Sequence, residues 1–461
     1  MSTMPSHAAD RASDPGHSGT AIEFTSVTRR GDAKAPAAIH RFPAEDTQRV
    51  HENLIQRMRL ERISNLQPED RTEVTKAIRE IIDRLGLPYS GIERDQLAEQ
   101  VLQEVYGLGP LQPLIEDDTV NDILINTHTT VYVERKGRLE ETTVQFYSRE
   151  HLMHIVERIV TGVGRRIDEA QPMVDARLAD GSRVNIIIPP LAIDGPIVSI
   201  RKFGANPLTA EDLIGLKAFT PEMLEFLSAA VKAKLNIIVS GGTGAGKTTL
   251  LNVLSRSISS RERIITIEDS AELKLQQKHI VRLECRPRNL EGKGEVRQRE
   301  LVINALRMRP DRIVLGEVRG DEAIDMLQAM NTGHEGSLTT IHANSPRDAI
   351  SRLETMVLMG SAQLPEIAIR KQIASAIHII VQANRLTDGS RRITHVSEIC
   401  AMNGDVLPMQ EIFTFEQSGV DGEGVVHGKF AGRGLRPRLI DKIERAGIHL
   451  SKDVFEHEME V

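Results

Sequence analysis

The sequence predicts an α/β protein in which a domain with a mostly parallel sheet follows an α+β domain and a small helical unit. Between 235 and 380, apolar strand-like runs alternate with segments of helical spacing, which favours a parallel sheet. Within this stretch, residues 241–249 read GGTGAGKTT and fit the phosphate-binding pattern G-x-x-x-x-G-K-[ST]. Residues 107–203 instead show short strands separated by turn signals, as expected of an antiparallel sheet.

The N-terminal part divides into a tail and a helical unit. Residues 1–45 are rich in small and polar residues with little apolar periodicity, so we predict a disordered tail. Over 46–106 the apolar spacing is helical, and three amphipathic segments are expected. Their apolar positions are Leu54, Met58 and Ile63, then Val74, Ile78, Ile81 and Ile82, then Leu97, Val101 and Val105.

The range 107–203 is predicted to be an α+β domain with an antiparallel sheet. Strands are expected at 122–126, 130–134, 139–146, 173–178, 183–188 and 197–203. Ser148 is suited to cap the helix that follows it, because its hydroxyl can accept a first-turn N–H. Asp180 followed by Gly181 predicts the tight turn of a hairpin.

The second half of the chain contains the larger predicted domain. Its segments are a linker at 204–219, a domain at 220–400 and a C-terminal extension at 401–461. Thr220 followed by Pro221 is a suitable N-cap and first-turn pair, so a helix is expected to begin there. Strand-like segments on either side of Asp388 and Gly389 predict a hairpin, and the extension contains a short amphipathic helix at 439–443.

The glycine-rich loop contains the residue types that bind a nucleoside triphosphate. Glycines permit backbone angles that side chains forbid, so backbone N–H groups can surround phosphate oxygens. Lys247 is expected to reach the β- and γ-phosphates, and the Thr248 hydroxyl to hold Mg²⁺. The predicted nucleotide-binding residues are Gly241, Gly242, Thr243, Gly244, Ala245, Gly246, Lys247, Thr248 and Thr249. A glycine-rich turn without a ligand is the alternative.

Acidic residues and a histidine follow the loop, and phosphoryl transfer needs such groups around its metal and nucleophile. Glu268 and Asp269 stand at the end of a predicted strand, with Glu272 shortly after them. Glu317 ends the apolar run RIVLGE, which would place it at the ligand-binding edge of a parallel sheet. His342 also follows a strand-like run and could point a ring nitrogen at a γ-phosphate. The identity of the catalytic base stays open; a strand-end acid and a histidine bonded to nearby backbone are the alternatives.

Composition argues against several classes of function. The formal net charge of −7 argues against a protein built mainly to coat nucleic acid, and a nucleic-acid partner is not expected. Cys285 and Cys400 are far apart in sequence, so neither a disulfide framework nor a zinc site is expected. We expect neither a signal peptide nor a membrane span. The basic stretch 282–312 contains no aromatic residue, so a solvated loop or a surface facing another subunit's phosphates is as plausible as a nucleic-acid patch.

Four motifs together resemble those of the secretion-superfamily ATPases, which power type II secretion, type IV secretion and type IV pili. They read GGTGAGKTT, TIEDSAEL, RPDRIVLGEVRGDEA and GHEGSLTTIHANS, and they look like the Walker A, Asp box, Walker B and His box segments of that family. Longer stretches, such as GRRIDEAQPMVDARLADGSRVN and EGKGEVRQRELVINALRMRPDR, resemble the CpaF group of Flp/Tad pilus-assembly ATPases. The resemblance covers about residues 46–400.

This resemblance implies a RecA-like domain that binds ATP and Mg²⁺ and hydrolyses ATP in the cleft facing the N-terminal domain. It also implies a homohexamer at the cytoplasmic face of the inner membrane, acting on a membrane platform protein of a pilus or secretion system. Arg183 and Arg201 match arginines that family members place near the nucleotide phosphates, and simple strand-end exposure is the alternative. The catalytic candidates are Glu317, Glu268, Asp269, Glu272, His342, Arg183 and Arg201, with Thr248 and Glu317 at the metal.

Two departures favour the CpaF-like interpretation. The four-cysteine zinc site common in the type II secretion and pilus-extension branches cannot form with two cysteines. The retraction motors' run AIRNLIRE is also missing, and residues 367–373 read IAIRKQI instead. Three other functions stay open: a type IV secretion ATPase that moves protein or DNA, a nucleic-acid-dependent RecA-like motor, and a nucleotide-gated scaffold with negligible turnover.

Overall fold

The structure is a computed structural model. It describes residues 42–58, 70–135, 137–203, 208–288, 293–360 and 364–461. The tail predicted at 1–45 lies outside these residues except for 42–45, and Ile63 of the first predicted helix lies outside them as well. In the part of the chain described, no helix is long and apolar enough to cross a lipid bilayer.

Among the residues described, three helices form the N-terminal unit. They are α1 (Ala44–Arg57), α2 (Arg71–Leu85) and α3 (Gly91–Tyr106). Gly86 ends α2 in the left-handed conformation, and Ser90 with Glu93 forms a capping box at the start of α3. The buried face follows the predicted helical spacing, because Leu54, Val74, Ile78, Ile81, Ile82, Leu97 and Val101 share one core. The first helix begins at Ala44, within the range predicted as a tail.

The domain that follows, called the first domain below, is an antiparallel sheet with a helix packed on one face, as the sequence predicted. A short helix, α4 (Gln112–Glu116), leads into the strands β1 (Val120–Thr127), β2 (Thr130–Arg135), β3 (Arg138–Glu141), β4 (Met173–Arg177), β5 (Arg183–Ile187) and β6 (Ile197–Arg201). The strand order is β3-β2-β1-β6-β5-β4. Helix α5 (Arg149–Gly162) is capped as predicted, since the Ser148 hydroxyl accepts the His151 N–H. The strand predicted over 139–146 is wrong beyond Glu141, because the chain turns there to bury Val144 and Phe146 in the core.

The second domain is built on a ten-stranded sheet in the part of the chain described. Its strands are β7 (Ile237–Gly241), β8 (Ile264–Glu268), β9 (Ile280–Glu284), β10 (Arg312–Val318), β11 (Leu338–Ile341), β12 (Ile379–Arg385), β13 (Arg391–Ile399), β14 (Met409–Val420), β15 (Val426–Gly432) and β16 (Glu458–Glu460). Their order is β16-β15-β14-β13-β12-β7-β11-β10-β8-β9. The six strands from β12 to β9 pair in parallel, and the rest pair antiparallel. The predicted α/β fold with a RecA-like domain is therefore confirmed.

Helices cover both faces of the parallel strands. They are α6 (Ala210–Gly215), within the segment predicted as a linker, then α7 (Pro221–Lys232), α8 (Lys247–Ser255), α9 (Gln298–Ala305), α10 (Glu322–Asn331), α11 (Pro346–Gly360), α12 (Glu366–Ala376) and α13 (Ile440–Arg445). Alternate residues of a strand face opposite sides of a sheet. Accordingly, Ile237 and Val239 join the core with α7 and α8, whereas Ile238 joins the core with α9 to α12.

Residues after 400 add three antiparallel strands to the same sheet, and the sequence indicated none of them. This C-terminal segment packs on α7 through aromatic side chains. The rings of Phe226 and Phe413 on β14 are 5.7 Å apart, as are those of Phe226 and Phe455, which ends a short 3-10 turn before β16. The short amphipathic helix expected at 439–443 is α13. The C-terminal segment thus completes the core on the side of the sheet that also carries α8 and the phosphate-binding loop.

Candidate active site

The glycine-rich loop joins β7 to α8 in a tight turn. Gly244 and Gly246 have φ values of +70° and +92°, which favour glycine over other residues. A Cβ on Gly241 would overlap the carbonyl oxygen of Ala383 in the neighbouring strand, so only glycine fits there. The predicted nucleotide-binding residues therefore run without a break from the end of β7, through the turn, into the first turn of α8. At this helix N-terminus, backbone N–H groups and the helix dipole favour phosphate.

Lys247 is buried, with 8% of its surface exposed. Its ammonium donates hydrogen bonds to the carbonyl oxygens of Gly241 at 3.0 Å and Gly242 at 2.8 Å. Burial lowers the pKa of this lysine to about 8; the charge of Glu317 opposes the shift and that of Arg201 adds to it. Carbonyl dipoles compensate only part of the free energy that a buried cation loses on desolvation. A phosphate, which carries a full negative charge, is therefore a better partner for this ammonium.

Glu268 ends β8 with its carboxylate buried under the following segment. Its Oε1 atom accepts the backbone N–H groups of Glu272 and Leu273, both at 2.8 Å. Its Oε2 atom is buried and has no hydrogen-bond partner among the described residues. Burial raises the pKa of this carboxyl to about 6 despite the two hydrogen bonds. Gly316 on the adjacent strand makes room for it, because a Cβ there would lie 2.9 Å from Glu268 Cγ.

Glu317 and His342 meet over the loop, as their positions at the ends of β10 and β11 suggested. The Nε2 atom of His342 lies 3.0 Å from Glu317 Oε1 and 3.3 Å from Lys247 Nζ. Burial and the charge of Lys247 lower the pKa of His342, so the ring is neutral at pH 7. A neutral ring nitrogen can donate to the carboxylate or accept from the ammonium, but cannot do both at once.

Arg319 is a site residue that the sequence analysis did not single out. It donates to Asp269 Oδ2 and to Glu317 Oε2, each at 2.9 Å, and so links the two acidic clusters. Both ion pairs raise the pKa of its guanidinium further. Its position in the sequence could have indicated this role. In an extended chain, a residue two positions from Glu317 projects to the same side as Glu317.

The preceding domain reaches the site through arginines. Arg183 donates to Glu272 Oε1 at 2.9 Å, and Arg177 donates to Glu284 Oε2 at 2.7 Å and to the Ala271 carbonyl at 2.8 Å. Arg201 lies directly opposite Arg183 on the neighbouring strand, and it is close enough for its charge to lower the pKa of Lys247. Both predicted arginines therefore lie at the interface between the two domains, on the side of the phosphate-binding loop.

A small cavity of about 50 Å³ lies where these groups converge. Its walls are Arg183, Thr248, Glu268, Asp269, Ser270, Glu272, Gly316, Glu317 and Arg319. This volume and the polar walls suit an ordered water or a small hydrated ion. His342 and Arg201 do not line this cavity. His342 lies next to Glu317, which does line it. The charge of Arg201 acts on Lys247 and lowers its pKa.

A second connection joins the loop to the first domain. Arg391 donates to the Gly244 carbonyl oxygen at 2.8 Å, and its other end lies 3.9 Å from Glu134 on β2. Arg385, across the same hairpin, donates to the carbonyl oxygen of Gly137 in the turn between β2 and β3. The tip of the phosphate-binding loop is thus bonded to a side chain that also faces the first domain. Sequence offered no signal for this pair, because the contacts cross the domain boundary.

The donors at the site fit Mg²⁺ bound together with a nucleotide rather than a metal held by protein alone. Among the described residues, no group of three or more His, Cys, Asp or Glu side chains could hold a metal ion. Magnesium usually takes one or two protein oxygens and completes its shell with phosphates and water. Thr248 and Glu317 supply such ligands on the wall of one cavity. Cys285 and Cys400 are both free thiols.

Comparison with known proteins gives one family. The family described as "Type II/IV secretion system protein" matches residues 104–423. A Mycobacterium tuberculosis protein described as "Putative conjugal transfer protein Rv3659c" is 38% identical over 314 residues, covering 67% of this chain and 89% of that protein. The Brucella suis type IV secretion system protein VirB11 is 33% identical over 322 residues, covering 64% of this chain and 89% of that protein.

A solved structure of the VirB11 ATPase from the Brucella suis type IV secretion system in complex with sulphate is also similar in sequence. It is 31% identical and covers 63% of this chain and 96% of that chain, with a TM-score of 0.35. At this TM-score the sequence match is the informative part of the likeness.

Proposed function

The chain belongs to the type II/IV secretion system protein family, and from this membership we propose that it is an ATP-hydrolysing motor. We propose further that it works as a homohexamer at the cytoplasmic face of the inner membrane, where it powers assembly of a Flp/Tad-type pilus or a related secretion process. One observation carries the ATPase part of the proposal. A single small cavity gathers the loop hydroxyl Thr248, the acids at the ends of two parallel strands, and Arg183 of the preceding domain.

Phosphate binding is assigned to the loop and its lysine. On binding ATP, Lys247 would exchange the Gly241 and Gly242 carbonyls for β- and γ-phosphate oxygens, which are stronger acceptors. Thr248 and Glu317 would hold Mg²⁺. When bound, that ion supplies positive charge that neutralises the phosphate oxygens and fixes their orientation.

The general base that activates the attacking water is assigned to Glu268. Its buried Oε2 atom has no partner among the described residues, and its pKa of about 6 leaves it ionised at pH 7 yet able to take a proton. The fixed Oε1 atom keeps the carboxylate in one orientation. Asp269 is instead paired with Arg319 and Glu272 with Arg183, so these two acids are assigned to positioning.

His342 is assigned to sensing the γ-phosphate. It lies between Lys247 and Glu317, and only one of them can bond its Nε2 atom at a time. When a phosphate takes Lys247, the ring can donate its N–H to Glu317 instead. Phosphate binding at the loop would therefore change the hydrogen bonding of Glu317 and, through Glu317, that of Arg319.

The arginines of the first domain are assigned to charge stabilisation. Phosphoryl transfer is accelerated mainly by positioning and by positive charge at the developing transition state. Arg183 and Arg201 lie on neighbouring strands at the domain interface and face this region. Opening or closing the cleft would add or remove both charges, which would couple hydrolysis to domain motion.

Two observations bear on the process that the motor serves. The sequence stretches that resemble the CpaF group favour Flp/Tad pilus assembly, whereas the relatives described as conjugal transfer and type IV secretion proteins favour a type IV secretion ATPase. The neighbouring genes discriminate between them. Prepilin and pilus-platform genes would support the first assignment, and genes for a conjugation-type channel would support the second.

Phosphate release by the purified full-length protein tests the activity itself. We expect turnover with MgATP alone and little change when DNA or RNA is added. A large stimulation by nucleic acid would favour a nucleic-acid-dependent motor, and negligible turnover under all conditions would favour a nucleotide-gated scaffold.

A further inference from the structure

A second cavity, of about 330 Å³, lies next to the active site, and none of the residues assigned to the nucleotide lines it. Thr266 forms part of its wall and lies two residues before Glu268 on the same face of β8. Phe203, just after the last strand of the first domain, forms another part. The segment from Leu273 to Gln276 forms a further part of its wall, and this segment begins at the N–H that Glu268 accepts. Gln276 and Arg282 are exposed, so the cavity opens to solvent.

The charged groups of this cavity are all positive. Lys274 and Arg282 line it, and no Asp or Glu side chain does so among the described residues. The Lys274 ammonium lies 4.1 Å from the centre of the Phe203 ring. Burial lowers the pKa of Lys274, and the charge of Arg282 lowers it further, so the two cations repel each other. An anion between them would remove this repulsion.

A buried hydroxyl at the same place lacks a partner. Thr266 is 1% exposed, and its Oγ1 atom has no hydrogen-bond partner among the described residues. Buried polar groups in native proteins are nearly always hydrogen-bonded, since leaving one unsatisfied is costly. The hydroxyl lies on the strand position paired with Arg282, so one ligand group could reach both.

The remaining walls are apolar, so they would pack against an apolar part of a ligand. Phe203, Leu273, Leu275 and Ile280 form them. The volume is at the lower end of the range for pockets that take small organic molecules. We propose that this cavity binds a small organic anion, with a carboxylate or phosphate head held by Arg282, Lys274 and Thr266 and an apolar body packed against these side chains.

Such a ligand would contact both domains and the segment that fixes Glu268. Its effect on hydrolysis rests on the proposed function, because it presumes that Glu268 acts in that reaction. Binding of the ligand does not depend on that role of Glu268. A binding measurement therefore separates failure of this proposal from failure of the ATPase assignment.

Calorimetric titration of the full-length protein provides the test, with benzoate and phenyl phosphate as probes in separate arms. Each titration is run both without nucleotide and with saturating MgADP, which occupies the phosphate-binding loop. We expect one saturable site per chain, and the tighter probe identifies the preferred head group. Arg282→Gln should weaken binding about tenfold or more, since charge-assisted hydrogen bonds are lost. Arg261→Gln, on an exposed turn outside the cavity, should bind like the wild type.

Thr266→Val provides a second variant that should stay folded. It should weaken probe binding several-fold and raise the melting temperature of the ligand-free protein, because it removes the unsatisfied hydroxyl. The proposal is overturned if neither probe binds saturably, if Arg282→Gln leaves the affinity unchanged, or if MgADP abolishes binding. The last result would make the cavity an extension of the nucleotide site.

Discussion

Lys247 and Glu268 are both buried beside the proposed nucleotide site, and burial moves their pKa values in opposite directions. The lysine becomes easier to deprotonate, and the carboxyl becomes harder to ionise. The pKa of each residue therefore lies close to neutral pH. This suits a residue that exchanges a proton or a phosphate partner, but it lowers the stability of the fold.

Glu268→Gln should stabilise the fold while abolishing hydrolysis. The folded-state pKa of Glu268 is raised from 4.5 to about 6. Its stability contribution is thus present below pH 4.5 and is lost as pH rises through about 6. Above that pH the buried carboxylate destabilises the fold by about 2 kcal/mol, which glutamine removes. Thermal unfolding at pH 5 and pH 8 checks this: the gain should appear at pH 8 and shrink at pH 5. The exposed Glu411→Gln should show neither effect.

The pH profile of kcat/KM for ATP should be bell-shaped. Glu268 must be ionised, which requires a pH above about 6, and Lys247 must be charged, which requires a pH below about 8. Steady-state rates between pH 5 and 9 measure this, and Glu268→Gln should leave no rising limb in whatever activity remains. A flat profile across that range would contradict both assignments.

At the element scale, several features were predictable because their causes are local. Ser148 and Thr220 cap helices with their own hydroxyls, and the glycines of the loop satisfy its backbone angles. The early end of β3 and the strands β14 and β15 depend instead on burial against distant elements. Neither is encoded in a short window of sequence, since the aromatic side chains of the C-terminal strands meet α7 only in the folded chain.

The proposed active site divides in the same way. Glu268 and Glu317 follow apolar strand runs, so sequence placed them at one edge of the sheet. Gly316 and Arg319 act through neighbours on another strand, and Arg391 acts across the domain boundary. These contacts depend on sheet order, which the sequence alone did not provide.

Arg391→Ala should raise the KM for ATP several-fold with a smaller change in kcat. The arginine bonds the Gly244 carbonyl at the tip of the loop, and the acid it faces, Glu134, has no proposed catalytic role. Loss of the arginine should therefore weaken phosphate binding more than it slows the chemical step. Steady-state kinetics separate the two constants. Arg391→Lys should restore part of the affinity, and Arg433→Ala, whose side chain pairs with surface glutamates, is the matched control. An unchanged KM would show that the loop holds its shape without this contact.

At the scale of the whole molecule, the proposed site is shared between two domains. The sheet of the second domain supplies the loop and the acids, and the first domain supplies Arg177, Arg183 and Arg201. Under the proposed function, the position of one domain relative to the other would therefore affect the rate of hydrolysis.

Arg183→Gln should lower kcat by about tenfold to a thousandfold, in the range seen when a charge-stabilising group is lost from a transition state. The ion pair between Arg183 and Glu272 is partly exposed, so its loss should change the melting temperature little. Phosphate release and thermal unfolding on the same preparation check both parts. A large loss of stability with an unchanged kcat would assign Arg183 to structure alone.

Phosphate release by wild type and by Lys247→Ala shows whether the glycine-rich loop binds ATP for hydrolysis. The wild-type full-length chain should release phosphate from MgATP. The variant should be slower by about a hundredfold or more, because the buried ammonium is lost where negative charge develops. Both proteins should unfold at similar temperatures, since the ammonium bonds two loop carbonyls and the His342 ring but forms no ion pair with a carboxylate of the described residues. Equal rates in the two proteins would contradict this role of the loop.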